Sequence, residues 1–203
     1  MIDHDAQVEV LLRYLQSDRD ALLWKLEGLS EYDARRPLTP TGSNVLGIVK
    51  HVAGVEHEYL SLCFGDSAAF PMPWSDSDEP NDDMYASEDE SVQGIVAMYR
   101  TAWQADDASV RSRGLHALGT VPWWGENGVD VPMVHLLVHT LSETARHLGQ
   151  VDILRELIDG SAGLRPGWSN LPDLGPTGWS SYVEELEQLA RRATNVGFND
   201  ASP

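Results

Sequence analysis

Apolar residues recur every three to four positions along most of the chain, the spacing of helices with one buried face. Val8, Leu12, Leu15, Leu22, Leu26 and Leu29 carry the repeat over about residues 3–26, with Gly28 placed to end the helix. A turn-like stretch follows over 30–42, broken by Pro37 and Pro40. A second helix is predicted from an N-cap at Ser43 to about Phe64, stopped by Gly65, with Val45, Ile48, Val52, Val55, Tyr59 and Leu62 as its stripe. Ser87 and Glu90 read as a capping box opening a third helix that ends near Gly114. The fourth, capped by Asp130 with Pro132 in its first turn, runs to Ile158, with Gly160 just beyond. Ser181 and Glu184 read as a second capping box before a short helix ending near Ala193. No stretch alternates with period two for long enough to be a strand. The pattern predicts an all-α bundle of four long helices and one short C-terminal helix, a single domain over 1–195 with a frayed tail at 196–203.

Charge sharpens this picture. The 203 residues carry a formal net charge of −18 and only two lysines, Lys25 and Lys50. Nucleic acid and anionic membrane surfaces are not expected as partners, because the first needs a basic footprint and the second would repel the chain. Nine acids and no Lys or Arg fall within 65–90, where Pro71, Pro73 and Pro80 forbid a continuous helix. That stretch is expected to be a solvated acidic loop inserted in the bundle; it lacks the regular spacing of a calcium loop. No apolar run reaches the ~18 residues of a membrane span. The acidic, polar start is unlike a signal peptide, so a cytoplasmic protein is expected. The lone Cys63 sits in an apolar helical context and reads as a small core residue.

The histidines sort by helical face. On the second helix His51 lies at the edge of the apolar stripe and can face the interior, whereas His57 lies opposite and should face water. On the fourth helix His147 falls inside the stripe, Glu143 adjoins it, His139 is at the margin and His135 lies outside. Glu143 and His147 are one turn apart on one face. A carboxylate and an imidazole on one helix, met by an inward histidine from another, is how bundles build internal metal sites. The same spacing also suits a hydrogen-bonded pair, or a glutamate compensated by Arg146. Val121-Pro122-Trp123-Trp124-Gly125 forms an aromatic loop ahead of the fourth helix.

Gly28-Leu29-Ser30, Ala34-Arg35-Arg36, Thr41-Gly42-Ser43 and the run Leu46-Gly47-Ile48-Val49-Lys50-His51-Val52-Ala53-Gly54-Val55-Glu56 together resemble the second-helix signature of the DinB superfamily. Glu143-Thr144-Ala145-Arg146-His147-Leu148-Gly149-Gln150-Val151-Asp152 is similar to its second signature, and Val121-Pro122-Trp123 also fits. The likeness covers roughly residues 5–165 and is greatest to the actinobacterial, mycothiol S-transferase-like branch, also called the mini-circle protein type. It implies a DinB-like four-helix bundle with one divalent metal at its open end. The family's ligands fall on His51, Glu143 and His147. Gln150 stands where related chains often carry His. A similar His-Glu-His set occurs in the mycothiol-dependent maleylpyruvate isomerases, which have an additional C-terminal domain not expected in these 203 residues, so that exact reaction is not expected.

Two His and one Glu leave coordination positions open, as a catalytic site requires. Zn²⁺ is the default ion for this set, with Ni²⁺, Fe²⁺ and Mn²⁺ open. The resemblance implies a metal-dependent transfer of mycothiol, or a similar low-molecular-weight thiol, to a small electrophile, with no protein nucleophile. Trp123 and Trp124 either wall the substrate side or cover the core. Arg146 and Arg155 either meet an anionic group of the thiol cofactor or pair with Glu143 and Glu156. A hydrolase using metal-bound water, a non-catalytic metal-binding stress-response bundle, and assembly as a homodimer stay open at this stage.

Overall fold

The computed structural model describes residues 4–193. The tail expected at 196–203 and the side chain of His4 lie outside that description. The chain forms two compact units, residues 1–169 and 170–203. The first is an all-α bundle, as the apolar pattern predicted. In chain order it holds α1 (His4–Leu26), the short α2 (Glu31–Arg35), α3 (Val45–Leu60), α4 (Val92–Arg113) and α5 (Met133–Asp159). Helix α3 packs on α4 and α5, and α1 packs on α5. One apolar cluster, including Leu22, Leu46, Ile48, Tyr99 and Val151, fills one part of the bundle, and another, including Leu12, Leu15, Leu60, Val110 and Met133, fills a second.

The helix ends differ from the sequence expectation in instructive ways. Helix α3 is capped by Asn44 rather than Ser43; the Asn44 side chain accepts from Gly47 N at 2.7 Å. Glu90 does reach back to Ser87 N at 2.7 Å, but the same oxygen also accepts from Lys50, and α4 starts one turn later on Ser91. Asp130 does not cap α5. Its backbone takes φ +55°, and the two-residue strands β1 (Leu118–Gly119) and β2 (Val131–Pro132) pair antiparallel just before the helix. The first amides of α5 are satisfied instead by backbone, Met133 N to Ala117 O and Val134 N to Leu115 O. Two residues are too short for alternation to reveal. Within the second unit, α6 (Gly175–Ala193) begins six residues before Ser181, because Pro176 is tolerated in a first helical turn.

Between the two apolar clusters lies a buried polar network. Glu56 on α3 accepts from Arg19 Nε of α1 at 2.7 Å, Tyr99 Oη of α4 at 2.5 Å and Thr144 Oγ1 of α5 at 3.0 Å. Burial pushes its carboxyl pKa up, opposed by the Arg19 charge and the Tyr99 hydrogen bond. Arg19 also bonds Asp107 at 2.8 Å.

The stretch 65–90 is irregular, as its prolines require, but it is not simply solvated. It lies along α3, and two glycines allow the approach. A Cβ on Gly47 would stand 1.8 Å from the Met84 carbonyl oxygen, and one on Gly54 would stand 3.2 Å from Trp74 Nε1. Arg35 secures the far end through the carbonyls of Ala86, Ser87 and Glu90.

Replacing Arg19 by Met leaves Glu56 buried without its cation. A loss of about 3–5 kcal/mol is expected, read as a lower urea midpoint with an unchanged slope. A loss below about 1 kcal/mol would show that the pair does not hold the bundle.

Candidate metal centre

Helices α3 and α5 run antiparallel, so His51 and His147 meet across their groove. Their rings stand 4.8 Å apart, edge to face. Both are partly covered, with side chains 21% and 13% exposed. One turn before His147 on α5, Glu143 Oε2 lies 3.7 Å from His147 Nε2. The structure therefore brings the three residues of the second-helix and fourth-helix signatures together. Among the described residues, however, no group of three or more His, Cys, Asp or Glu side chains is arranged as metal ligands as they stand.

The other nitrogen of each ring is already held. His51 Nδ1 lies 2.5 Å from Asp83 Oδ2, and His147 Nδ1 lies 2.9 Å from Gln150 Oε1. That leaves Nε2 of each imidazole as the donor, with a carboxylate beside one of them. Metal-binding histidines characteristically have their second nitrogen fixed by a carboxylate or amide in this way. Burial and the neighbouring His51 push the His147 pKa below the usual histidine value, so the ring is neutral at pH 7 and its lone pair is available. The hydrogen bond from His51 holds the Asp83 carboxyl below the usual range. The donor set thus fits a divalent cation in chemistry, with the partly exposed Glu143 carboxylate beside His147.

A family model of mycothiol-S-transferases matches residues 10–160. The chain belongs to the mycothiol-S-transferase family. That family lies within the DinB-like superfamily, in agreement with the helical bundle. No curated protein matches the chain.

The other residues singled out by sequence fall at different places in this family member. Trp123 is 53% exposed and donates from Nε1 to Tyr59 Oη at 3.1 Å. Trp124 packs against Tyr59, His135 and His139. Tyr59 and His139 each lie eight residues from the histidine pair along their helices, about 12 Å. Arg146 is exposed beside His147. Arg155 is not brought to the pair. Its guanidinium binds Asp159 at 2.8 Å and the carbonyls of Lys25 and Glu27, closing the C-terminal end of α1.

His57 overturns its expectation. It does not face water; it is fully buried between α3 and α4. Its Nδ1 lies 2.7 Å from Asp106 Oδ1, which also accepts from Ser61 Oγ at 2.6 Å, and its Nε2 accepts from Ala69 N at 3.0 Å. The facial argument failed because α3 is covered on more than its apolar stripe. The face carrying His57 is buried by polar pairing with α4, which a hydrophobic pattern does not show.

Asp83 and Glu58 were missed. Asp83 sits in an acidic run with no motif, and its partner is remote in sequence. Burial, then the Asp83 charge, pushes the Glu58 pKa up. Cys63 is buried as expected, and burial, reinforced by Glu58, pushes its pKa up to about 12.

A raised thiol pKa leaves the protonated form dominant through neutral pH, so Cys63 should resist alkylation by iodoacetamide at pH 8 in the folded protein. Rapid labelling there, tracked by intact mass, would contradict this burial. His57→Ala should cost about 3 kcal/mol, because Asp106 loses its buried partner. Zn²⁺ affinity of the folded His57→Ala protein should match wild type in a chelator competition; a parallel loss of affinity would tie His57 to the site.

Proposed function

We propose that this protein is a metal-dependent thiol S-transferase that joins mycothiol, or a similar small thiol, to an electrophile. The observation that carries the reading is the apposition of His51 and His147, each with Nδ1 held and Nε2 left as donor, beside the Glu143 carboxylate. Family membership supports mycothiol as the thiol. His51, His147 and Glu143 would hold the ion, Zn²⁺ by default for two imidazoles and a carboxylate, with Ni²⁺, Fe²⁺ and Mn²⁺ as alternatives. When bound, a divalent cation here favours thiolate over thiol at neutral pH.

The chain's own residues do the rest. The neutral imidazole of His147 supplies a lone pair and does not carry a competing positive charge. Glu143 offsets part of the ion's charge. Arg146, exposed one residue from His147, can meet a polar or anionic end of the thiol or electrophile; Trp123, held on Tyr59 about 12 Å along α3 from His51, is too far to wall the reacting carbon. Cys63, protonated and enclosed, is unsuited as a nucleophile and leaves attack to the small thiol. Among the described residues no helix is long and apolar enough to cross a membrane.

The test combines metal analysis with product detection. Purified protein, loaded with Zn²⁺ and incubated with mycothiol and an electrophilic alkylating probe, should yield the thioether, detected by mass spectrometry. His147→Ala should take up no metal, because two remaining ligands hold a divalent ion poorly, and its thioether yield should fall to the uncatalysed level. Equal yield from wild type and His147→Ala would overturn the reading; hydrolysis of the probe without a thioether would point to metal-bound water instead.

A further inference from the structure

We propose that Asp83 is a positioning residue for His51 and that Lys50 holds Asp83 in place. The inference rests on the reading of His51 as a metal ligand, and it assigns a task to the acidic stretch that the transfer reaction itself leaves unexplained.

The first observation is the 2.5 Å separation of Asp83 Oδ2 and His51 Nδ1. A carboxylate is ionised at neutral pH and only accepts hydrogen bonds. When the ring is neutral, its one hydrogen therefore sits on Nδ1. An imidazole without such a partner favours the hydrogen on Nε2, which would put an N–H where a ligand's lone pair is required. Asp83 thus decides which nitrogen of His51 is basic and fixes the rotation of the ring toward His147.

The second observation is how Asp83 is held. It lies on irregular backbone, yet the residues around it are fastened to α3. Lys50, the residue before His51, donates from Nζ to Asp82 O at 3.3 Å, Tyr85 O at 3.0 Å and Glu90 Oε2 at 2.9 Å. Its side chain is only 5% exposed, and its ammonium lies 4.8 Å from the Trp74 ring centre. Asn44 donates to Met84 O at 3.2 Å, and Gly47 leaves room for that same carbonyl. The backbone on both sides of Asp83 is bound to the helix that carries His51. A surface ion pair has no such flanking anchors. Here the carboxylate and the imidazole are set by one rigid piece, so the bond forms with little loss of side-chain freedom.

The experiment reads the ring and the ion separately. In metal-free, ¹⁵N-labelled protein, long-range ¹H–¹⁵N correlations give the tautomer of His51; Zn²⁺ affinity is measured alongside by competition with a chromophoric chelator. Wild type should show the hydrogen on Nδ1. Asp83→Ala should shift it toward Nε2 and weaken Zn²⁺ binding by about 10–100-fold. Asp83→Asn, of the same shape but able to turn its NH2 toward Nδ1, should shift the hydrogen in the same direction and serves if the alanine variant does not fold. Lys50→Met should reproduce the tautomer shift with Asp83 still present. A merely structural role would lower the melting temperature and leave the tautomer alone. An unchanged tautomer and affinity in the Asp83 variants would overturn the proposal. A wild-type protein that takes up no Zn²⁺ would overturn the metal reading, while the tautomer comparison would still decide the role of Asp83.

Discussion

The carboxylate of Glu56 is the constraint on which the bundle's geometry depends. It is fully buried, and a buried carboxylate is tolerated only when its lone pairs are occupied and its charge is countered. Arg19, Tyr99 and Thr144 meet that demand from α1, α4 and α5, so one side chain on α3 ties together all four long helices of the bundle. Each bond has a short range of acceptable distances and angles. Sliding α3 by one turn along any neighbour would break at least one of them and leave an ion uncompensated in the core. Apolar contacts alone tolerate such slips, because burial is non-directional.

That register reaches the candidate site directly. His51 lies five residues before Glu56, and His147 lies three residues after Thr144. On antiparallel helices, the Glu56–Thr144 bond therefore sets the level at which the two imidazoles face one another. The second polar cluster acts on the α3–α4 side. Asp106 holds His57 and Ser61, and His57 in turn holds the amide of Ala69 at the beginning of the acidic stretch. The far end of that stretch is bound by Arg35 and Lys50. A chain with net charge −18 has few cations to distribute, yet both of its lysines are buried, and one of them, Lys50, gathers the acidic stretch onto α3.

Much of the fold was legible in the amino-acid sequence because it is written in local spacing. The stripes Val45–Ile48–Val52 and Leu136–Thr140–Thr144 repeat every three to four residues, and Gly28, Gly65 and Gly160 take the positive φ that ends helices. The facing of His51, Glu143 and His147 was readable for the same reason, since it needs only the angle between each residue and its own helix's stripe. What was illegible depended on partners distant in the chain. Asp130 has the residue type of a cap, but the amides it would have capped are taken by carbonyls at 115 and 117. His57 looked like a surface residue because its burial comes from Asp106, forty-nine positions away. Asp83 is one of nine acids in its stretch, and nothing local distinguishes it from Asp82 beside it.

The same distinction bears on the proposed metal site. A cation held by side chains from two helices requires donor atoms within a few tenths of an ångström of fixed positions. Leu, Val and Ile can bring α3 and α5 together, but a shift of one ångström costs them little while they remain buried. It would change the spacing of the His51 and His147 nitrogens by more than the tolerance of a shared ion. Directional bonds convert loose apposition into a defined separation: Glu56 to Thr144 within the core, Gln150 to His147 on α5 and Asp83 to His51 from the loop. The cost of burying Glu56 and of ordering Gln150 and Asp83 therefore belongs to the proposed site, since each bond removes one freedom that apolar packing would leave in the positions of the two histidines.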